Sequence, residues 1–538
     1  MAGVVLGMSV VYLAIRPQWS DQTWLLYVAN RVFDGARLGL DDITEPNPPL
    51  IIWILEMPVW IGRMLGVPLP AALQACVAAL VVFSTIWSAI LLRRQPALDN
   101  RWFSGWFTLV LLFATVIHPW VHYGQREHIM LLLVLPYLVM AAGRIEGREQ
   151  PIGEATVAGL CAAIGFFLKP HHLLVVFAVE GLLLLRSRHG RSLYRPEMAT
   201  LVATGFAYIA AIWFLTPDYL LEVLPLALNT YNDYHHAALS ELILPVQGLK
   251  LAVVVLLWAV LYRWLAHRTL ATVLLVAAIG ATLAYLAQQK GHQYQFVPAI
   301  SFFSLVLGVI AIDCWLKWTA GRMAAMPRGL TAAGGALSFV ATIALSYPVQ
   351  LKKAAHTYTD ERAAILHEVG KGIPSNSTVL ILSTSAESFF EHVLEQSWQW
   401  GSRFMCLWML PAIVNAERTA DRDGTIQPPT MRHAAALTRE MVSADLTRWK
   451  PDLVLVERCQ DTNVAPCRGL GFRHDILQWL EQDSGFAAAW SGYVREGPIG
   501  PYDLWCRKDD SPACRGILAQ AATNPHGALG ELPSVDHR

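Results

Sequence analysis

Charge is scarce in this chain. Of its 538 residues, 15% are Lys, Arg, Asp or Glu, against 54% hydrophobic ones. A soluble domain carries about 25% charged residues, so a wholly water-dissolved globule is excluded. The 41 basic and 41 acidic residues cancel, and bulk charge therefore argues against a nucleic-acid partner. The eight cysteines include no CxxC pair, and no histidine stands at ligand spacing beside them, which disfavours a metal-binding reading. The apolar segments show no internal repeat and no matched pair of Gly/Pro-broken helices, the signature of many transporters. The first stretch, "MAGVVLGMSVVYLAI", lacks a basic n-region and a small-residue cleavage site, so it reads as a thinly flanked first membrane helix and not as a cleaved leader.

What is present is a series of apolar runs. With the criterion of ~20 residues per span, the sequence predicts a polytopic α-helical membrane protein of about eleven helices over 1–350 and an α/β domain over 351–538. Spans are expected near 2–16, 70–92, 103–121, 129–143, 154–168, 171–185, 198–215, 249–264, 270–287, 296–316 and 329–347. The segment 49–65 holds Glu56, Pro58 and Arg63 and reads as an interfacial helix. Twenty tryptophans suit the aromatic belts of a bilayer protein. Alternate loops are rich in arginine: "RRQPALDNR", "GRIEGRE", "RSRHGRSLYR", "RWLAHR" and "KWTAGRMAAMPR". By the positive-inside rule these are cytoplasmic, which places the loop 18–50 and the C-terminal domain outside.

In the C-terminal part, "STVLILST" (377–384) and "PDLVLVER" (451–458) read as buried strands. The stretches "DERAAILHEVGKGI" and "RHDILQWLEQDSG" have helical periodicity, and the alternation gives a small sheet faced by helices. Cys459 and Cys467, then Cys506 and Cys514, are two equally spaced pairs that fit disulfides in an oxidising compartment. The spacing also allows pairing across the two hairpins. Cys406 is left over, and the residues after about Cys514 read as a loose tail.

Polar residues gather in the loops expected outside. "YGQREH" brings Arg126, Glu127 and His128. "KPHH" brings Lys169, His171 and His172, and "QQKGHQYQF" brings Lys290, His292, Tyr294 and Gln295. The long loop after Thr216 carries Tyr231, Asn232, Asp233, Tyr234, His235 and His236. Any one loop can be charges snorkelling from helix ends. Four on one side suggest a polar chamber, in which cations and imidazoles suit a phosphate and a carboxylate suits a general base. Among the acids, Asp21 stands at the membrane boundary before the amphipathic stretch "QTWLLYVANRVFDG", although Ser20 or Asp21 could equally be a helix cap. Asp34 is expected to pair with Arg37, and Asp41, Asp42 and Glu45 to be solvated. Glu180, inside a span, is expected to make a structural hydrogen bond.

The segment "SDQTWLLYVANRVFDGARL…EPNPPLIIWIL" resembles the first outer loop of the GT-C class of membrane glycosyltransferases, which includes the protein O-mannosyltransferases and the aminoarabinose transferases of lipid A. Asp21, Tyr27, Ala29, Gly35 and the "PPL" of 48–50 match the order of that loop, and Glu127 falls where the class has a second acid. The resemblance implies an enzyme that moves a sugar, usually with inversion, from a polyprenyl-phosphate donor to a glycan, lipid or protein acceptor on the outer face of a bacterial inner membrane. Asp21 is then the base, with Glu127 assisting it or holding the acceptor. Arg126, His128, Lys169, His171, His172, Lys290, His292 and Tyr294 become lipid-phosphate ligands by location. Metal use varies in the class, and Asp21, Glu127 and His128 are the residues that could hold a divalent ion, though none is expected. The sequence departs from the class where Gln22 follows the first acid and where Asn47, not lysine, precedes the Pro-Pro pair. Two other readings stay open: a transporter or flippase of lipid-linked sugars, and a non-catalytic protein of envelope assembly.

Overall fold

The computed structural model describes residues 20–94, 101–119, 122–186, 194–231, 237–243, 247–319, 337–338, 365–366, 369–385, 390–461, 467, 469–509 and 511–523. The expected helix at 2–16, all of that at 329–347 except residues 337–338, and the loop residues 232–236 lie outside them. The chain divides into two compact units that interleave in sequence. One draws on stretches within 71–211 and 237–356. The other draws on 19–70, 212–236 and 357–538. The first loop thus belongs with the C-terminal region in the second unit.

The first unit is helical. Among the described residues of the chain, five helices are long and apolar enough to cross a bilayer: Leu69–Arg93, Arg126–Ile145, Pro196–Leu215, Arg268–Gln288 and the run Gln293–Thr319. Trp102–Ile117, Ile152–Phe167 and Tyr219–Thr230 are shorter apolar helices. These are the features of a polytopic helical membrane protein. Arg268–Gln288 packs against Leu173–Arg186 and Val297–Thr319, and Arg126–Ile145 packs against Ile152–Phe167. Close approach replaces the hydrophobic drive that lipid removes. A Cβ on Gly280 would lie 2.8 Å from the Leu174 carbonyl oxygen, and one on Gly159 would lie 2.4 Å from that of Glu197. By contrast, Phe206, Ile209, Trp213, Phe214 and Leu215 of Pro196–Leu215 are exposed, as a face toward lipid would be.

The chemistry of Arg126–Ile145 differs between its ends. Glu127 and Arg144 are 17 residues apart, hence about 26 Å at 1.5 Å per residue. At the far end Arg144 grips Glu197 through two hydrogen bonds of 2.9 and 3.1 Å. Arg195 joins Glu197 at 3.3 Å and also pairs with Glu180, whose other oxygen accepts from Tyr137. Glu180 thus makes the structural hydrogen bonds expected of it, with Tyr137 and Arg195 as partners.

The second unit is built on a five-stranded sheet of order β2-β1-β3-β5-β4. Its strands are β1 (Thr378–Leu382), β2 (Gln399–Trp400), β3 (Leu453–Glu457), β4 (Tyr493–Ile499) and β5 (Tyr502–Arg507). β1 runs parallel to β2 and β3, while β5 is antiparallel to β3 and β4. Leu380, Leu382, Val454 and Val456 enter a core with Ile413, Met441, Leu446 and Phe486, contributed by the helices Leu410–Asp423, Pro429–Trp449 and Ser484–Trp490. The disulfides are Cys459–Cys467 and Cys506–Cys514, each closing a separation of eight residues. They exclude the crossed pairing. Cys406 is buried and lies in neither disulfide.

The same unit holds the helices Ser20–Phe33 and Leu50–Leu65, which pack on each other. Leu50–Leu65 buries Ile51, Ile52, Leu55 and Val59 and leaves Met57, Trp60, Met64 and Leu65 bare, an apolar face of the kind a bilayer covers. Between these helices the loop is tied to the α/β region. Arg403, buried, donates to Asp445 at 2.7 Å and to the carbonyl of Leu40, and its own carbonyl accepts from Thr44 N at 2.9 Å. Burial pushes the Asp445 carboxyl up to about 6, against the pull of Arg403.

Removing one member of a buried ion pair costs about 3–5 kcal/mol, because the partner is left charged and unsolvated. Arg403→Ala is therefore expected to lower the unfolding free energy by that order at pH 8. At pH 5.5 the loss should be smaller, because Asp445 takes up a proton there. Denaturant melts of the full chain at the two pH values read the difference.

Candidate active site

In the second unit, the helix Ser20–Phe33 carries Asp21 in its first turn. Asp21 is half-buried, whereas every residue from Gln22 to Ala29 is buried. The helix is fixed by its aromatic side: Trp24 lies against Phe390 at 4.8 Å between ring centroids, and Phe390 lies against Trp400 at 4.6 Å. The Tyr27 hydroxyl accepts from Trp400 N and from Arg31, both at 3.3 Å.

Three expectations for the acids need correction. Asp34 pairs with Arg63, through two contacts of 2.6 Å, and not with Arg37. Asp42 is not simply solvated, since it accepts from Arg37 N at 3.2 Å and from Arg448 at 3.0 Å. Glu45 is the largest departure, being 3% exposed. Its carboxylate accepts from the Trp24 indole and from the backbone N–H and side chain of Asn47, the former at 2.9 Å. Asn47, just before the Pro-Pro pair, thus serves Glu45. The contact of Glu45 with Trp24 spans 21 residues, and no local periodicity announces it.

In the first unit, the helix Arg126–Ile145 begins after Gln125, whose backbone is extended. Glu127 lies in its first turn, where the helix dipole favours a negative charge. Glu127 and Lys169 form a buried ion pair of 2.6 Å. The Lys169 ammonium also reaches Gln288 Oε1 at 3.4 Å and lies 4.9 Å from the centre of the Tyr294 ring. That ring stacks on His292 at 5.4 Å and meets His122 edge-on at 5.9 Å. Arg126 and His172 are within electrostatic reach of Glu127. Three of the four expected polar loops thus converge on one cluster.

The members differ in what they can still do. His128 accepts at Nδ1 from Gly124 N, 2.9 Å away, and its Nε2 lies 2.7 Å from the Thr115 carbonyl. Both ring nitrogens are engaged by backbone, so the ring braces the turn and offers nothing to a metal or a phosphate. His118 likewise contacts Ser304, at 2.6 Å. His171, Lys290 and His292 are half-buried, while Arg126 and His172 are buried. Glu127 Oε2, His172 Nε2, both side-chain polar atoms of Gln125, and Gln295 Oε1 are buried without a hydrogen-bond partner among the described residues. Gln125 had been visible in the "YGQREH" turn, but an uncharged amide gave no reason to single it out.

No family model matches this sequence, and no curated protein matches it. The structure does find neighbours. ArnT from Cupriavidus metallidurans bound to undecaprenyl phosphate superposes with a TM-score of 0.54 at 10% identity, over 95% of this chain and 97% of that one. The apo state of the same protein gives 0.53 at 10% identity, over 94% and 97%. The chain shares its fold with ArnT. The likeness to GT-C transferases, read from the first loop, thus holds for the fold across nearly the whole chain.

Hydrogen bonds to a charged group contribute about 1.5–3 kcal/mol each. Glu45→Ala is expected to destabilise the loop 34–49 by roughly that much, leaving the Trp24 indole buried with its acceptor removed. Limited proteolysis should then cut the loop at least tenfold faster than in the parent protein.

Proposed function

We propose that the chain is a membrane glycosyltransferase, moving a sugar from a polyprenyl-phosphate donor to a hydroxyl-bearing acceptor of the cell envelope. The observation that carries this reading is the chain-long likeness of fold to an ArnT whose structure holds undecaprenyl phosphate. Asp21 supports it as the half-buried carboxylate at the head of an otherwise buried, aromatic-braced helix. The arginine-rich loops support an outer, extracytoplasmic side for both the loop 18–50 and the disulfide-bearing sheet.

In this reading the acceptor oxygen attacks the anomeric carbon opposite the phosphate. The new C–O bond forms as the anomeric C–O bond to phosphate breaks, and polyprenyl phosphate leaves with the electron pair. The hydroxyl proton passes to Asp21, and the carbon inverts. The half-buried Lys290, His171 and His292 are the groups assigned to the phosphate, as a cation and imidazoles in the turns expected outside. Glu127 is already committed to Lys169 and is assigned to holding substrate. His128 is assigned to bracing its turn through its two backbone contacts.

General-base catalysis by a positioned carboxylate contributes about 10²–10⁴-fold. Asp21→Asn is therefore expected to lower kcat for transfer from undecaprenyl-phosphate sugars by at least a hundredfold, while donor affinity stays within about twofold. Transfer at the parental rate would remove Asp21 from the chemistry. Movement of the lipid-linked sugar across a vesicle without any transfer would favour a flippase instead.

A further inference from the structure

Lys169 looks like a phosphate ligand in sequence, yet the structure gives its charge to Glu127 at 2.6 Å. The pair is shut away, Lys169 7% and Glu127 1% exposed. Drawing the donor's phosphate onto that ammonium would place a second anion beside the Glu127 carboxylate, in surroundings where like charges are poorly screened. What surrounds the pair suits a different ligand. One Glu127 oxygen is used and the other is not, and the two lie on one carboxylate. His172 interacts electrostatically with both Glu127 and Lys169, and holds Gly165 O through Nδ1 at 3.4 Å with Nε2 unused. Gln125, 1% exposed and two residues before Glu127, has a donor and an acceptor unused. A carboxylate oxygen, an imidazole nitrogen and an amide offer both donors and acceptors, beside the buried Arg126 cation. Sugar hydroxyls, each donor and acceptor at once, match such a set, and a buried site of this kind otherwise leaves desolvated polar atoms unpaired.

We propose that Gln125, Glu127 and His172 form a subsite for the hydroxyl groups of an uncharged sugar, with Lys169 as the internal counter-ion of Glu127. The proposal rests on the glycosyl-transfer reading and names the part of the donor that this cluster reads. The cluster selects the sugar, while the phosphate is held by other groups.

The test compares two kinds of probe on the purified full chain in nanodiscs. One is undecaprenyl phosphate, and the other is a panel of undecaprenyl-phosphate hexoses and pentoses. The parent protein should bind at least one glycosylated probe more than tenfold more tightly than undecaprenyl phosphate. Gln125→Ala and His172→Ala should each erase roughly three- to tenfold of that difference, the size of one hydrogen bond, without weakening undecaprenyl phosphate. The paired variant Glu127→Gln/Lys169→Met removes both charges together and so avoids a lone buried ion. It should keep undecaprenyl phosphate within about twofold and lose the preference for the sugar. If that variant loses undecaprenyl phosphate and its glycosylated form equally, Lys169 is a phosphate ligand and the proposal fails. It also fails if the parent binds undecaprenyl phosphate but shows no preference for any sugar, or if none of the variants alters the preference. A parent protein that binds neither kind of probe would overturn the glycosyl-transfer reading itself.

Discussion

An ammonium and a carboxylate shut inside an apolar helix bundle can stand there only together. Each alone would lose several kcal/mol of hydration with nothing to replace it, and in a bilayer no water is at hand to relieve it. The pairing of Glu127 with Lys169 therefore constrains the elements that carry them. It ties the start of Arg126–Ile145 to the turn that follows Ile152–Phe167. Through Gln288 and the Tyr294 ring it also reaches the turn after Arg268–Gln288. Three helix ends are gathered by one charge pair, and the histidines and amides of those turns are brought together as a consequence.

The second unit applies the same rule to its loop. Glu45 and Arg403 are buried polar groups whose partners lie far off in sequence, and each fixes the path of the chain between Phe33 and Leu50. Glu45 fastens Asn47, just before the prolines, to Trp24 on the preceding helix. Arg403 fastens Leu40 and Thr44 to the α/β region through Asp445. A loop full of acids thus becomes a defined turn, with Asp34 and Asp42 paired to arginines and Asp21 at the head of its helix. The acids that looked interchangeable in composition differ in place: Glu45 is buried on indole and amide donors, while Asp34 and Asp42 pair with arginines nearer the surface.

Legibility followed the range of the interaction. Features set by local spacing were readable: apolar runs long enough to span, the strands at 378–382 and 453–457, and cysteine pairs eight residues apart. The gathering of polar turns was readable as well, because charges flanked by apolar helices have few places to go. Contacts between residues far apart were not. Nothing near Glu45 says that Trp24 will cover it, and nothing in "KPHH" says that its lysine is already matched by a glutamate 42 residues earlier. The interleaving of the units was hidden for the same reason. Hydropathy assigns 19–70 to the membrane part by adjacency, whereas aromatic packing of Trp24 and Tyr27 on Phe390 assigns it to the other unit.

The two ends of the first unit make the strongest contrast. Far from Glu127, the carboxylates of Glu180 and Glu197 are saturated: Tyr137 and Arg195 take the oxygens of one, and Arg144 and Arg195 take those of the other. Such a network costs desolvation and returns order, and it leaves nothing over for a ligand. At the Glu127 end a similar number of buried polar groups is present, but the pairing stops short, with an oxygen, an imidazole nitrogen and an amide unused. A bundle that can saturate its buried charges at one end is not limited by its composition at the other. Folding alone gives no reason to keep desolvated donors and acceptors idle, since replacing them with apolar groups would be neutral or stabilising. In the glycosyl-transfer reading, a ligand that is itself rich in hydroxyl groups would complete the pairing.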